Sequence, residues 1–319
     1  MEVRLSGIRF ARAKSFLLDV PDLVFREGRV TALVGPNGSG KSTLLRLLSG
    51  LERPSSGAVR FGLQGSRDNE SSTGNIAFAF QEAVFLRGTL RSNLHLALRL
   101  HHVDGDARES RIADAADASG IGHLLDRNAH QLSGGEARRA NLARVLALRA
   151  PVTLLDEPLA GLDGPARRQL LHELPALLAA FATTTILVTH DREEALHLAD
   201  DVVVLLDGRV RAQGAKGDVF RNPPNPETAR FLGFTVLSKD DRIIAAPPAA
   251  LRPRAGEVEF PFDFERLADL GTHREVVGRV GDALVTAQVE GDDNGPWTVV
   301  SADKASLIHF GNISAGMKL

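Results

Sequence analysis

Eight consecutive residues, Gly35-Pro36-Asn37-Gly38-Ser39-Gly40-Lys41-Ser42, fit the pattern G-x-x-x-x-G-K-[ST]. That pattern is a phosphate-binding loop: backbone N–H groups and one lysine surround phosphate oxygens, and a hydroxyl meets Mg²⁺. Gly35, Gly38 and Gly40 allow the tight turn that aims N–H groups at an anion. Lys41 is placed to reach the β/γ-phosphates, and Ser42 to ligate Mg²⁺. Farther on, the apolar run Pro151 to Leu155 ends in Asp156 and Glu157. In an open α/β sheet, ligands bind beyond the carboxyl ends of the strands. Asp156 is then placed for the Mg²⁺ shell and Glu157 for the water that attacks the γ-phosphate. A solvated acidic turn would leave the same pair. His190 ends a second apolar run, Thr185 to Thr189. By itself it reads as a capping or surface histidine. At the same sheet edge as Asp156 it reads as a polar contact to the γ-phosphate.

The flanking elements suit these roles. Val30 to Val34 is a short β-branched run, read as a buried parallel strand, and Leu44, Leu45, Leu47 and Leu48 recur at helical spacing. The loop therefore sits at a strand-to-helix turn, where the helix N-terminus adds partial positive charge. Leu132-Ser133-Gly134-Gly135-Glu136 reads as a helix start, with Ser133 as cap and a carboxylate in the first turn. Its two glycines leave bare N–H groups that can also take a phosphate. Residues 1–34 read as an antiparallel β start and Ala58 to Phe61 as a short strand. Residues 65–74 read as a polar loop, Ile76 to Phe80 as a strand ending at Gln81, and residues 82–150 as helical. Val202 to Leu206 and Arg209-Val210 form a hairpin around Asp207-Gly208.

The chain has 319 residues, enough for about two domains. Its net charge of −2 gives no basic balance for nucleic acid. It has no cysteine, which excludes disulfides, thiolate metal sites and a cysteine nucleophile. His95, His101, His102, His123 and His130 lack metal-ligand spacing and read as surface residues. Met1-Glu2-Val3-Arg4 contains no apolar run, so no secretory leader is expected. The most apolar stretch, Leu174 to Val188, carries Pro175 and three threonines and is too short and polar to span a bilayer.

Taken in order, the phosphate loop at 35–42, Gln81, LSGGE at 132–136, LLDEP at 154–158, GLD at 161–163 and His190 resemble the ATP-binding subunit of ABC transporters. The resemblance covers about residues 1–233, and LSGGE marks this family among phosphate-loop proteins. It implies an α/β P-loop NTPase: a RecA-like core, an antiparallel β subdomain and an inserted helical subdomain near 82–150. It also implies a head-to-tail homodimer, with ATP held between the phosphate loop of one subunit and LSGGE of the other. Gly35, Pro36, Asn37, Gly38, Ser39, Gly40, Lys41, Ser42 and Thr43 then contact the nucleotide. Ser42, Gln81 and Asp156 serve Mg²⁺, and Gln81 also couples to the membrane partner. Ser133, Gly134 and Gly135 contact the opposing γ-phosphate, and Asp163 bridges subunits. Glu157 is the general base and His190 holds the γ-phosphate. One position departs from the family: where an aromatic stacks on adenine, this chain has Arg12. Phe10 or Phe16 can substitute, or the Arg12 guanidinium can stack.

After Asn222-Pro223-Pro224-Asn225-Pro226 the pattern changes. Glu275 to Val280 and Ala283 to Val289 alternate across Gly281-Asp282, and Trp297 to Val300 and Leu307 to Phe310 read as strands. Residues 234–319 thus read as a small β-barrel-like domain, similar to the TOBE-like tail of importer ATPases for oxyanions, sugars or polyamines. It serves either a ligand or packing. The resemblance implies an ATPase at the cytoplasmic face of a membrane, working with permease subunits and a solute-binding protein to import a solute such as molybdate, tungstate or sulfate. An exporter ATPase or a non-transport ABC ATPase is the alternative. One phosphate loop, no heptad run, no basic stripe and no fused membrane helix favour the importer.

Overall fold

The structure, a computed structural model, describes residues 1–12, 16–62, 76–240, 242–247, 250–289, 295 and 297–312, without the side chains of residues 12, 16, 311 and 312. The polar loop expected at 65–74 and the side chains of the adenine candidates Arg12 and Phe16 fall outside that description. Contacts group the chain into Met1–Lys216 and Gly217–Leu319.

In the first unit, β1 (Val3–Arg12) and β2 (Phe16–Phe25) form an antiparallel pair in which Val3 faces Phe25. β3 (Val30–Val34) leads through the phosphate loop into α1 (Lys41–Leu48). β4 (Ser56–Phe61) pairs with the other side of β1. After β5 (Ile76–Ala79) come three helices packed on one another, α2 (Leu90–Leu100), α3 (Gly105–Ala118) and α4 (Gly134–Leu146). They occupy the stretch in which the sequence predicts helix. β6 (Val152–Asp156), α5 (Gly164–Phe181), β7 (Thr184–Thr189), α6 (Arg192–Leu198), β8 (Asp201–Leu206) and β9 (Arg209–Ala215) complete the unit.

The nine strands form one sheet in the order β4-β1-β2-β9-β8-β3-β7-β6-β5. β8, β3, β7, β6 and β5 are mutually parallel. Every residue of β6 and β7 is buried, which is why both read as near-continuous apolar and β-branched runs with no alternation. Leu33, Leu44, Leu45, Leu154, Ile186 and Val203 lie in the core that covers this sheet. Because the five strands run the same way, the loops after β3, β5, β6 and β7 all leave from one edge. Among the described residues, no helix is long and apolar enough to cross a membrane.

The β8–β9 turn is fixed by its two residues. Asp207 and Gly208 have φ of 49° and 73°, as a two-residue hairpin with matched twist requires. The Gly208 N–H donates to the Ser39 carbonyl at 3.1 Å, and the Gly208 carbonyl accepts from the Asp19 N–H at 2.8 Å. The turn therefore ties the phosphate loop to β2. A Cβ on Gly208 would meet the Leu17 carbonyl oxygen at 2.0 Å. Gly208→Ala is expected to destabilise the chain by roughly 1–3 kcal/mol, through strain at positive φ plus this clash. Urea unfolding of the two proteins measures it, and equal midpoints would show that the turn does not hold the loop.

In the second unit, α7 (Lys216–Arg221) starts at the boundary and α8 (Pro226–Phe231) follows, capped by Asn225 with Pro226 in its first turn. β10 (Thr235–Lys239) and β11 (Arg242–Ala246) pair antiparallel, and β12 (Val258–Pro261) and β13 (Asp263–Asp269) precede the expected hairpin of β14 (Arg274–Val280) and β15 (Ala283–Val289). β16 (Val299–Ala302) pairs with β12, and β17 (Ile308–Asn312) with β11. Phe260, Phe262, Val276, Val285, Trp297 and Val300 form a separate core. α8 packs on β10 and β11, and the contacts group the chain from Gly217 onward, whereas the sequence reading carries the first domain to residue 233.

Candidate functional site

Gly40 is the N-cap of α1 with φ 106°, a conformation that only glycine takes readily. It turns the chain so that Lys41 and Ser42 start the helix with free N–H groups. Lys41 is buried at 6 % exposure, and its ammonium donates to the carbonyls of Gly35 (2.9 Å) and Pro36 (3.0 Å). Burial pushes its pKa down, while Glu157 and Asp156 pull it back up. Asn37, Gly38, Gly40, Lys41, Ser42, Thr43, Gln81, Glu157 and His190 line one cavity of about 520 Å³. Pro36 and Ser39 shape the loop through the bond from the Ser39 N–H to the Pro36 carbonyl (3.2 Å).

Asp156 ends β6, and one of its oxygens accepts from the Ser42 hydroxyl at 3.2 Å. Burial pushes its carboxyl pKa up, Glu157 adds to that, and the Ser42 hydrogen bond, Arg46 and Lys41 oppose it. A buried carboxylate beside a hydroxyl is a hard-oxygen donor pair with a desolvation cost that a divalent cation offsets, which fits Mg²⁺.

Glu157 has φ 47°, the left-handed region that a non-glycine residue seldom occupies. Its backbone is held there: its N–H donates to the Val188 carbonyl (3.0 Å), and its carbonyl accepts from the Ala160 N–H (3.1 Å). The turn aims the carboxylate into the cavity. One oxygen meets the Gln81 amide nitrogen at 3.2 Å, and the other meets His190 Nδ1 at 3.1 Å. The residues expected to be general base, γ-phosphate contact and Mg²⁺-linked glutamine are thus brought together, from the ends of three different strands. Phe10, one of the adenine candidates, packs partly buried against the core of the sheet.

Ser133, Gly134, Gly135 and Asp163 do not line this cavity. Ser133 caps α4: its hydroxyl accepts from the Glu136 N–H (3.3 Å), and its own N–H donates to the Glu136 carboxylate (2.7 Å). This is a complete capping box. A Cβ on Gly134 would meet nothing within 4 Å, and one on Gly135 only Leu162 at 3.8 Å. The interior of the chain therefore gives no reason for two glycines here. Asp163 caps α5, accepting from the Ala166 N–H at 2.9 Å.

Two arginines close to the site were not singled out by sequence. Arg138 donates to the carbonyls of Gln81 and of Ala160, the latter at 2.6 Å. Arg167 on α5 donates to Asp191 (2.5 Å) and Glu194 (2.9 Å), in the helix start that follows His190. Both partnerships join residues distant in sequence, so no local pattern announces them.

Residues 18–160 match the family described as ABC transporter. Among curated relatives, the sulfate/thiosulfate import ATP-binding protein of Mesorhizobium japonicum is 38 % identical over 73 % of this chain and 69 % of its own length. The sulfate/thiosulfate import ATP-binding protein of Synechococcus elongatus is 35 % identical over 83 % of this chain and 81 % of its own length. Among solved structures, cbiO1 from Clostridium perfringens, part of the ABC transporter complex cbiONQ, is similar with a TM-score of 0.59 and 27 % identity, over 72 % of this chain and 92 % of that one.

Proposed function

This chain belongs to the ABC transporter family as an ATP-hydrolysing import subunit, and on that premise we propose that it drives uptake of an oxyanion, sulfate or thiosulfate, through a membrane permease. The observation that carries the site assignment is the meeting of Gln81, Glu157 and His190 in the cavity that Lys41 and Ser42 also line. The import relatives support the solute class, and their names favour sulfate or thiosulfate among the oxyanions.

In this reading Gly35 through Thr43 and Lys41 in particular hold the phosphates of ATP. Ser42 and Asp156, with Gln81, hold Mg²⁺, which when bound adds positive charge against the phosphate oxygens. Glu157 takes the proton of the attacking water as its oxygen bonds to the γ-phosphorus and the bond to the β–γ bridging oxygen breaks. His190 keeps a ring nitrogen toward the γ-phosphate and, through its contact with Glu157, orients that carboxylate. Ser133, Gly134 and Gly135 present a capped helix N-terminus with open space around it, suited to a γ-phosphate held by a second copy of the chain. The working unit is a head-to-tail homodimer in which Asp163 lies between subunits. It sits on the cytoplasmic face of permease subunits fed by a solute-binding protein, and takes no part in nucleic-acid binding. In this reading residues 1–233 form the ATPase domain and 234–319 the small TOBE-like domain, with α8, at the end of the first span, packed on β10 and β11 of the second.

In the organism that encodes this chain, deleting its gene should abolish uptake of labelled sulfate and thiosulfate. The parent gene should restore uptake, and the Glu157→Gln gene should not. Unchanged uptake of both anions in the deletion strain would overturn the solute assignment and leave the ATPase untouched.

A further inference from the structure

The helix that begins at Ser133 also grips the segment leaving β5. Arg138, Asn141 and Arg144 are spaced three residues apart on α4 and lie along one side of it. Their donors go to backbone carbonyls far away in sequence. The Asn141 amide donates to the Phe80 carbonyl (3.1 Å), Arg138 Nη1 to the Gln81 carbonyl, and Arg144 Nη1 to the Val84 carbonyl (2.7 Å). Arg144 Nη2 donates in addition to Asn141 Oδ1 (2.6 Å), and its guanidinium lies 4.9 Å from the Phe85 ring centroid. Asn141 is only 2 % exposed, so the donor end of its bond lies away from water.

Arg138 differs from its two neighbours because its fork faces two segments at once. While Nη1 holds Gln81, Nη2 donates to the Ala160 carbonyl at 2.6 Å. The Ala160 N–H in turn is bonded to the Glu157 carbonyl at 3.1 Å. One guanidinium therefore fixes the backbone of Gln81 and the turn that carries Glu157. The side chains of those two residues meet at 3.2 Å in the cavity. A planar, pre-organised fork can span two carbonyls at set angles, which a lysine ammonium on a flexible stem cannot do.

We propose that Arg138 is a positioning residue for hydrolysis, setting Glu157 against Gln81 from the helix whose N-terminus is Ser133. This rests on the reading of Gln81 and Glu157 as site residues. Arg138 touches neither nucleotide nor water in this role; it acts through the two segments it joins. The same bonds link α4 rigidly to both, so the Ser133 end of the helix and the hydrolytic pair share one frame.

The test is a double-mutant cycle in the full-length chain, reading ATPase kcat, KM and Mg-ATP affinity. Arg138→Met keeps an unbranched apolar stem and removes the donors. It is expected to lower kcat about tenfold while KM and Mg-ATP affinity stay within about twofold, the pattern of a lost transition-state arrangement. In a Gln81→Ala background the carbonyl that Arg138 holds remains, but the Gln81–Glu157 side-chain pair that it sets is already lost, so the same substitution should cost no more than about twofold further. Arg138→Lys should recover only part of kcat. If Arg138→Met loses its cooperative thermal transition, Arg138→Gln, with a shorter amide donor, enters the same cycle. Lys41→Ala and Glu157→Gln are run beside them. Turnover surviving in those two would mean the site reading has failed. If they are inactive but the Arg138 variants keep parental kcat, or their loss multiplies in full with Gln81→Ala, Arg138 does not act through Gln81 and the inference is overturned.

Discussion

Glu157→Gln is expected to bind Mg-ATP within about twofold of the parent and to hydrolyse it at least about 100-fold more slowly, the scale of a lost general base. The substitution removes one proton acceptor and little else. Glutamine has the shape of glutamate, and the backbone that holds φ at 47° is bonded through main-chain atoms to Val188 and Ala160, which the change leaves alone. The carboxylate itself is only 15 % exposed and takes its contacts from Gln81 and His190. Lys41, proposed to carry the phosphate affinity, keeps both its bonds to the loop carbonyls. Binding and chemistry should therefore separate: equilibrium dialysis with Mg-ATP unchanged, phosphate release nearly abolished, and an ATP-bound dimer accumulating on a sizing column. Turnover within a few-fold of the parent would remove Glu157 from the role of base, and loss of ATP binding would mean that its strained turn holds the loop.

Much of this site was legible because its parts are local. The phosphate loop is eight consecutive residues between a strand and a helix, and the fold places it as the sequence suggests. Asp156, Glu157 and His190 were legible because fully buried strands betray themselves as β-branched runs, and a parallel sheet sends the residue after each run to one edge. The capping box at Ser133 was legible from a serine and a glutamate three residues apart. What escaped was long-range or weakly patterned. Arg138, Asn141 and Arg144 reach carbonyls of residues 80–84, and a carbonyl acceptor carries no side-chain signature. Arg167 reads as one more charge on an exposed helix until α6 brings Asp191 and Glu194 to it. In the second unit, β14 and β15 declared themselves by alternation around Gly281, whereas β13 is exposed along nearly its whole length and carries DFERLAD, with no apolar face to read. β10 and β11 are five-residue strands on either side of Asp240, whose φ is 50°, a turn that no glycine or proline marks.

Lys41→Ala and Gly135→Asp should each be inactive alone and regain activity when mixed, because in a head-to-tail dimer each ATP meets Lys41 of one chain and Gly135 of the other. Lys41→Ala deletes the cation proposed to face the β/γ-phosphates, at a helix position where alanine is well tolerated. Gly135→Asp should fold normally. Its added Cβ meets only Leu162 at an ordinary 3.8 Å, its backbone does not need positive φ, and a carboxylate in the first turn of α4 suits the helix dipole. Its harm is confined to an incoming phosphate, which meets a negative charge where it needs bare N–H groups. In a mixed dimer one site carries both lesions and the other carries none. With random exchange about half of the dimers in an equimolar sample are mixed, so about a quarter of the parental number of sites is intact. ATP trapping with Glu157→Gln added to both chains should therefore reach about a quarter of the parental level in the mixture, and near zero in each variant by itself. Trapping without recovery of turnover would mean that hydrolysis needs both sites intact. Full ATPase activity in either single variant, at dilutions where chains stay apart, would show that one chain holds a complete site, and the two glycines at 134 and 135 would then need another explanation.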